Sequence, residues 1–297
     1  MSQSDQKTRH DPPMHDKLDW SKFPEDVFRF LESRTATNSA AFLLPTLKEM
    51  VAAATDTPGT FRMLDVGAGA GSMTADFARI IAPCGGHITG VDFNPIALSR
   101  AATVANERGI SSDKISFQEA DGYKLPFEDG TFDVVHCHQV LVHNKNPWKI
   151  LTEMLRVTKP GGVCAAREGD LDTEIMWPPL PGLLQFQRAL KAKLIVARGG
   201  CATAGRELLS WALRTGAKRS QIKTSYSTWS YTEPEDRKLW ASGIIDVALG
   251  PAVREKNVAS GISLEEMDEM RAAWLEWVDR DDAVLAQLIG EVIIRKE

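Results

Sequence analysis

The sequence predicts an α/β fold built on an open sheet, and three observations predict it. An apolar run from Phe61 through Met63-Leu64-Asp65-Val66 meets a glycine at every second position, Gly67, Gly69 and Gly71, and an amphipathic stretch from Ser72 to Ile81 follows. That order reads as a buried strand, a tight turn and a helix. A second apolar run, His87 to Val91, ends on Asp92, about 20 residues past the last glycine. A carboxylate at that spacing, at the end of the second strand, is placed to accept from the two hydroxyls of a ribose. Strand-like and helix-like segments then continue to alternate, which is the pattern of parallel strands joined by helices.

Each element has its own signal. Met1 to Asp16 is polar, contains Pro12-Pro13 and has no apolar core, so it reads as a mobile segment (1–16) and not as a signal peptide, ahead of one domain over 17–297. Leu18 to Ser33 places Trp20, Phe23, Val27, Phe28, Phe30 and Leu31 at near-helical spacing; Asn38 to Ala54 is a second helix, broken at Pro45. Pro95 to Arg108 is a helix with Asn94 as its N-cap and Gly109 as its stop. Lys114 to Gln118, Phe132 to Cys137 and Val163 to Ala166 are strands, with a helix from Asn146 to Val157 and a turn at Lys159-Pro160-Gly161-Gly162. In the second half, Met176 to Pro181 reads as a loop, Gly182 to Ala197 and Ala204 to Arg214 as helices, and Ser220 to Tyr231 as a strand. Glu233 to Leu249 and Ser263 to Asp279 are helices, the latter opened by a Ser263/Glu266 capping box, and Ala283 to Arg295 is a closing strand.

Composition narrows the function. The 297 residues carry a net charge of −5, which argues against nucleic acid or an anionic membrane as partner. No apolar run is long enough to span a membrane. The four cysteines, Cys84, Cys137, Cys164 and Cys201, show no C-x-x-C spacing, and Cys137 and Cys164 sit in apolar strands as buried thiols, so a reducing, cytoplasmic location is expected. His136-Cys137-His138 has metal-ligating side chains, but successive residues of a strand point to opposite faces, so no metal is expected there.

The glycine turn admits two cofactor readings. A dinucleotide fingerprint wants G-x-G-x-x-G, whereas here Ser72 stands in the third slot, and a carboxylate at Asp65 would repel a pyrophosphate. The pattern apolar-Asp-x-Gly-x-Gly-x-Gly instead resembles the first motif of the class I S-adenosylmethionine-dependent methyltransferases. The stretch Glu119-Ala120-Asp121-Gly122 through Leu125-Pro126-Phe127-Glu128-Asp129-Gly130-Thr131-Phe132-Asp133, and Leu155-Arg156-Val157-Thr158-Lys159-Pro160-Gly161-Gly162, resemble later motifs of that family in the right order. The chain is most similar to its UbiE/COQ5-like branch and to fungal small-molecule members.

The resemblance implies a Rossmann-like, mostly parallel seven-stranded sheet of order 3-2-1-4-5-7-6 with the last strand antiparallel. It implies a cofactor-binding core over about 58–168, and insertions near 171–200 and 232–282 are expected to form a helical cap. It implies S-adenosylmethionine as methyl donor and S-adenosylhomocysteine as product. Gly67, Ala68, Gly69 and Gly71 would form the turn beside the methionine part, Asp65 would bind its ammonium, and Arg34, His138 and Gln139 would lie against it, Arg34 at the carboxylate. Asp92 would take the ribose, Phe93 would stack on the adenine, and Asp121 with the Gly122 N–H would read the adenine edge.

The methyl leaves an activated sulfonium by in-line displacement, so positioning and exclusion of water carry most of the catalysis. If the acceptor holds its proton tightly a base is needed, and His143 and then Asp170 are the candidates, with Arg167 also at the strand end. His143 also reads as a structural loop histidine. Six of the eight tryptophans fall at or after Trp177, which fits a flat, apolar small-molecule acceptor, such as a secondary metabolite or a quinone-like compound. A cofactor-binding regulatory protein without turnover, and a methyltransferase acting on protein or RNA, are the alternative readings.

Overall fold

The computed structural model describes Phe23, residues 25–196 and residues 199–297. The polar segment 1–16 and Trp20 of the first amphipathic stretch lie outside the described residues. The N-terminal helices are α1 (Glu25–Glu32), α2 (Ala36–Ser39) and α3 (Leu44–Ala53). Pro45 stands in the first turn of α3, where its missing N–H costs nothing, and this splits the expected second helix in two.

The core then alternates as β1 (Arg62–Val66), α4 (Ser72–Ile81), β2 (His87–Asp92), α5 (Pro95–Glu107), β3 (Ile115–Glu119), β4 (Phe132–His138), α6 (Pro147–Val157) and β5 (Thr158–Gly169). Asn94 caps α5 as expected, its side-chain oxygen accepting from the Ile96 and Ala97 N–H groups at 3.0 and 3.4 Å. The second half contributes β6 (Ile175–Trp177), α7 (Pro181–Ala189), α8 (Ala204–Arg214), β7 (Ile222–Tyr231), α9 (Pro234–Leu249), α10 (Arg254–Ala259), α11 (Leu264–Val278) and β8 (Val284–Arg295).

Strands β1 to β5 are parallel, β8 runs antiparallel beside β5, and β7 pairs antiparallel with β8. For the seven strands expected from sequence this is the order 3-2-1-4-5-7-6. Two local expectations are corrected. β6 forms inside the stretch read as a loop: β5 stops at Gly169, opposite Ile289, so the start of β8 has an unpaired edge, and Ile175 to Trp177 take it. The turn expected at Lys159 to Gly162 is absorbed into β5 as an irregularity, where the pairing with β4 shifts between Phe132 and Val134.

Alternation along the strands fills two layers. Leu64, Val66, Val135, Cys137, Cys164, Val292 and Ile294 pack with Leu151 and Met154 of α6 and Leu208 and Trp211 of α8. Met63, Ile88, Val134, Val163 and Ala165 pack on the opposite face with Leu47 of α3 and Phe77 and Ile81 of α4. A third cluster joins α1, α7, α9 and α11 to the start of β8 through Phe30, Phe186, Trp240, Trp274, Trp277 and Leu285. Residues after β1, β2 and β4 and side chains of this third cluster line one cavity.

Candidate active site

A cavity of about 440 Å³ opens at the carboxyl ends of the parallel strands, where an open α/β sheet binds ligands. One wall comes from the strand ends and turns, the other from aromatic side chains of α1, α7, β7, α9 and α11. Of the residues singled out from sequence, Arg34, Gly67, Gly69, Asp92, Phe93, Asp121, Gly122, His138, Gln139 and His143 line it.

The N–H groups of the glycine turn bond within the protein. The Gly67 and Ala68 N–H groups donate to the Val91 carbonyl at 2.7 and 2.9 Å, and Gly71 N–H donates to Ala68 O at 2.9 Å. Gly69 N–H donates to Asp92 Oδ2 at 3.0 Å. These donors are spent inside the protein, so the turn supplies shape and not an anion site. Gly67 has φ +73, and a Cβ there would meet Val140 Cγ2 at 2.3 Å; at Gly69 nothing stands within 4 Å. The backbone is therefore bare toward the cavity at Gly69 and overlaid by Val140 at Gly67. Ala68 and Gly71 do not line the cavity: Ala68 packs by Gly90 of β2, and a Cβ on Gly71 would run into Ala101 of α5 at 2.5 Å.

Asp92 is 9% exposed and accepts from Gly69 and Asn94 N–H, one bond on each oxygen. Burial raises its pKa, and those backbone donors oppose the rise. Each oxygen keeps a lone pair for a ligand hydroxyl. Asp121, exposed beyond β3, accepts from Tyr123 N–H at 2.9 Å through Oδ1.

Asp65 departs from its expected place. Met63 and Asp65 share the sheet face covered by α4, because strand residues alternate. Its carboxylate accepts from Thr74 Oγ1 at 2.6 Å and lies 2.9 Å from His136 Nδ1, and it does not line the cavity. His136 is accordingly a buried core histidine, edge-on to Phe77. Among the described residues no group of three or more His, Cys, Asp or Glu is arranged to hold a metal.

Asp170 is also corrected. It is 1% exposed, caps the short 3-10 turn Leu171–Thr173 and is held by Nε and Nη2 of Arg206, the latter 2.7 Å from Oδ1. It lies off the cavity wall, so the geometry does not support it as a base. Arg167 is off the wall too. Its guanidinium spans Glu291 at 3.3 Å, Ser227 Oγ at 3.0 Å and His138 Nε2 at 3.1 Å. Because His138 Nε2 accepts from Arg167, the neutral ring carries its proton on Nδ1. Burial and the positive charges of Arg34 and Arg167 push the His138 pKa well down, so the ring stays neutral.

Arg34 lies with its guanidinium 5.4 Å from the Phe30 ring and 5.6 Å from that of Trp229. Glu168 has no signal of its own in the sequence. It is fully buried, and its carboxylate accepts the N–H groups of Val140, Leu141 and Val142 at 3.0, 2.9 and 3.1 Å. It thereby fixes the turn that carries Gln139, Val140 and His143 into the cavity wall.

The chain is similar to known methyltransferases. The methyltransferase domain family matches residues 64–166. An "uncharacterized methyltransferase" of Schizosaccharomyces pombe is 34% identical over 247 residues, covering 80% of this chain and 85% of that one. A "probable methyltransferase" of Aspergillus luteorubrus is 28% identical, covering 89% and 92%. Among solved structures, the YcgJ protein of Bacillus subtilis shares the fold at a TM-score of 0.50 and 22% identity, covering 84% of this chain and 98% of that one.

Proposed function

Because this chain belongs to the class I S-adenosylmethionine-dependent methyltransferases, we propose that it methylates a small-molecule acceptor with an aromatic or apolar body. The observation that carries the reading is that one cavity joins two unlike walls: strand-end groups suited to a nucleoside, and a wall of Phe30, Phe186, Trp229, Trp240 and Trp274. The residues present fit the cofactor. Gly69 leaves room for close approach, Asp92 and Asp121 retain acceptor capacity for hydroxyl and amino groups, and Arg34 supplies a positive charge for a carboxylate. Gly67, Phe93, Gly122, His138 and Gln139 complete that wall.

S-adenosylmethionine, when bound, supplies a methyl group on a sulfonium sulfur that departs as a neutral thioether. The chain's own part is to hold an acceptor against that end of the site and to keep water out, and the aromatic wall does both. His143, on the cavity wall, takes the acceptor's proton where the acceptor must lose one. The turn that bears it is held by Glu168.

The test is transfer from methyl-labelled S-adenosylmethionine in an extract of the source cells, with small molecules separated from macromolecules. Label in the small-molecule fraction supports the reading. Label in protein or RNA replaces the acceptor class, and cofactor binding without transfer replaces the catalytic reading with a regulatory one. His143→Ala is expected to lower turnover at least tenfold while cofactor affinity is kept; unchanged turnover removes His143 as the base.

A further inference from the structure

Two side chains on the cavity wall each carry an amide nitrogen with no hydrogen-bond partner, and they meet over a single glycine. Gln287, on β8, is 3% exposed and pairs across the strand with Trp229 of β7. Gln139 directly follows β4, on the other side of β5. The Nε2 atoms of both are buried with nothing to donate to. Between them β5 ends on Gly169, where a Cβ would stand 2.9 Å from Gln287 Nε2 and 3.4 Å from Gln139 Oε1. The missing side chain is what lets both amides reach the same place.

Leaving amide donors buried and unpaired is costly, and native proteins rarely do it. Both residues line the cavity, so a ligand there is the partner within reach. Gln139 adds a second sign. Its φ of +55 is a left-handed conformation at a non-glycine residue, a strained state that clusters at ligand sites.

We propose that Gln287, where it meets Gln139 of the cofactor wall, donates a hydrogen bond to an uncharged oxygen of the methyl acceptor, a carbonyl or hydroxyl carried on an apolar body. This rests on the methyltransferase reading above and narrows its substrate class. The chemistry favours a neutral oxygen: an amide carries no charge to balance a carboxylate, and Arg34, the guanidinium on the cavity wall, is assigned above to the carboxylate of the cofactor. Trp229, opposite Gln287, supplies the apolar surface next to the donors. A site of this kind rejects an analogue that lacks the oxygen, because the amides are then left unpaired.

The experiment compares 1-tetralone with tetralin, the same bicyclic body with and without a carbonyl oxygen. Binding to the full chain is followed by tryptophan fluorescence with S-adenosylhomocysteine present. The wild-type chain is expected to bind the ketone about tenfold more tightly, the ratio for one hydrogen bond. Gln287→Met, which keeps length but has no donor, is expected to abolish that preference while binding S-adenosylhomocysteine as before. Equal affinity of the wild-type chain for the two, binding of neither included, overturns the proposal, and so does a preference that survives in Gln287→Met. The wild-type comparison decides the matter even if the variant does not fold. S-adenosylhomocysteine binding, titrated separately, reports on the methyltransferase reading: its absence alongside a ketone preference overturns that reading and leaves the oxygen site standing.

Discussion

Asp92 and Glu168 are both buried carboxylates, and their partners give them different duties. Asp92 has one backbone donor on each oxygen and faces the cavity. Asp92→Ala is expected to weaken S-adenosylmethionine binding by about 1.5–3 kcal/mol, the scale for a hydrogen bond to a charged group; an unaltered dissociation constant by calorimetry overturns the ribose assignment. Glu168 accepts three backbone N–H groups, yet burial outweighs them and its pKa is pushed up to about 7. A carboxyl whose folded pKa exceeds its unfolded value binds more protons when folded. Its stabilising effect is therefore complete below about pH 4.5, where both states are protonated, and is lost as pH rises to about 7. Each unit of displacement is worth about 1.4 kcal/mol. Glu168→Gln is expected to flatten this fall, so the urea midpoints of variant and wild type should converge or cross between those pH values. Parallel profiles would remove Glu168 as the source.

At the scale of an element, the glycine turn shows how one motif divides its labour. Gly71 sits at φ +78 against the Ala101 backbone, with Ala101 Cα 2.7 Å from where a Cβ would be. Gly71→Ala is therefore expected to cost at least 2 kcal/mol of stability, through overpacking and strain together. Gly69, at φ +52 with open space around it, is the contrast. Gly69→Ala is expected to cost about 1 kcal/mol of stability and to weaken cofactor binding, because the added methyl enters the cavity. Thermal melts and cofactor titrations of the two variants check this; equal loss of stability at both positions would contradict it. The motif predicts all three glycines alike, and only the neighbours decide which serves packing and which serves the ligand.

Across the whole molecule, Trp240 is the joint between the beginning and the end of the chain. Its ring stacks on Tyr231 at 4.4 Å and meets Phe30 of α1 and Trp229 of β7 edge-on at 5.4 and 5.8 Å. Trp240→Ala is expected to cost about 3–5 kcal/mol. Hydrogen exchange should then show α1 and α9 losing protection together, whereas a protected α1 would mean that other contacts hold it. The same assembly closes the aromatic side of the cavity, so stability and acceptor binding share these side chains.

The sheet order, the turn between β1 and α4, and Asp92, Asp121 and His138 at the strand ends were legible in the chain itself. Local periodicity and fixed spacing encode the elements and the place of Asp92, whereas the sheet order, Asp121 and His138 come from the resemblance of the motifs to those of the methyltransferase family. Asp65 and Asp170 were misread because their sequence neighbours say nothing about which face covers them: α4 takes Asp65 and Arg206 takes Asp170, while Arg167, read only as a strand-end residue, is held by Glu291, Ser227 and His138. Glu168 and Gln287 had no local signal at all, and the tryptophan-rich second half did not say which rings would meet. Their partners are far away in the chain, and only the folding of β5, β7, β8 and α9 onto one another brings buried donors, acceptors and rings to a common cavity. Secondary structure follows from short-range pattern; charge pairing, burial and the contents of a site follow from long-range contact, which the tertiary structure alone decides.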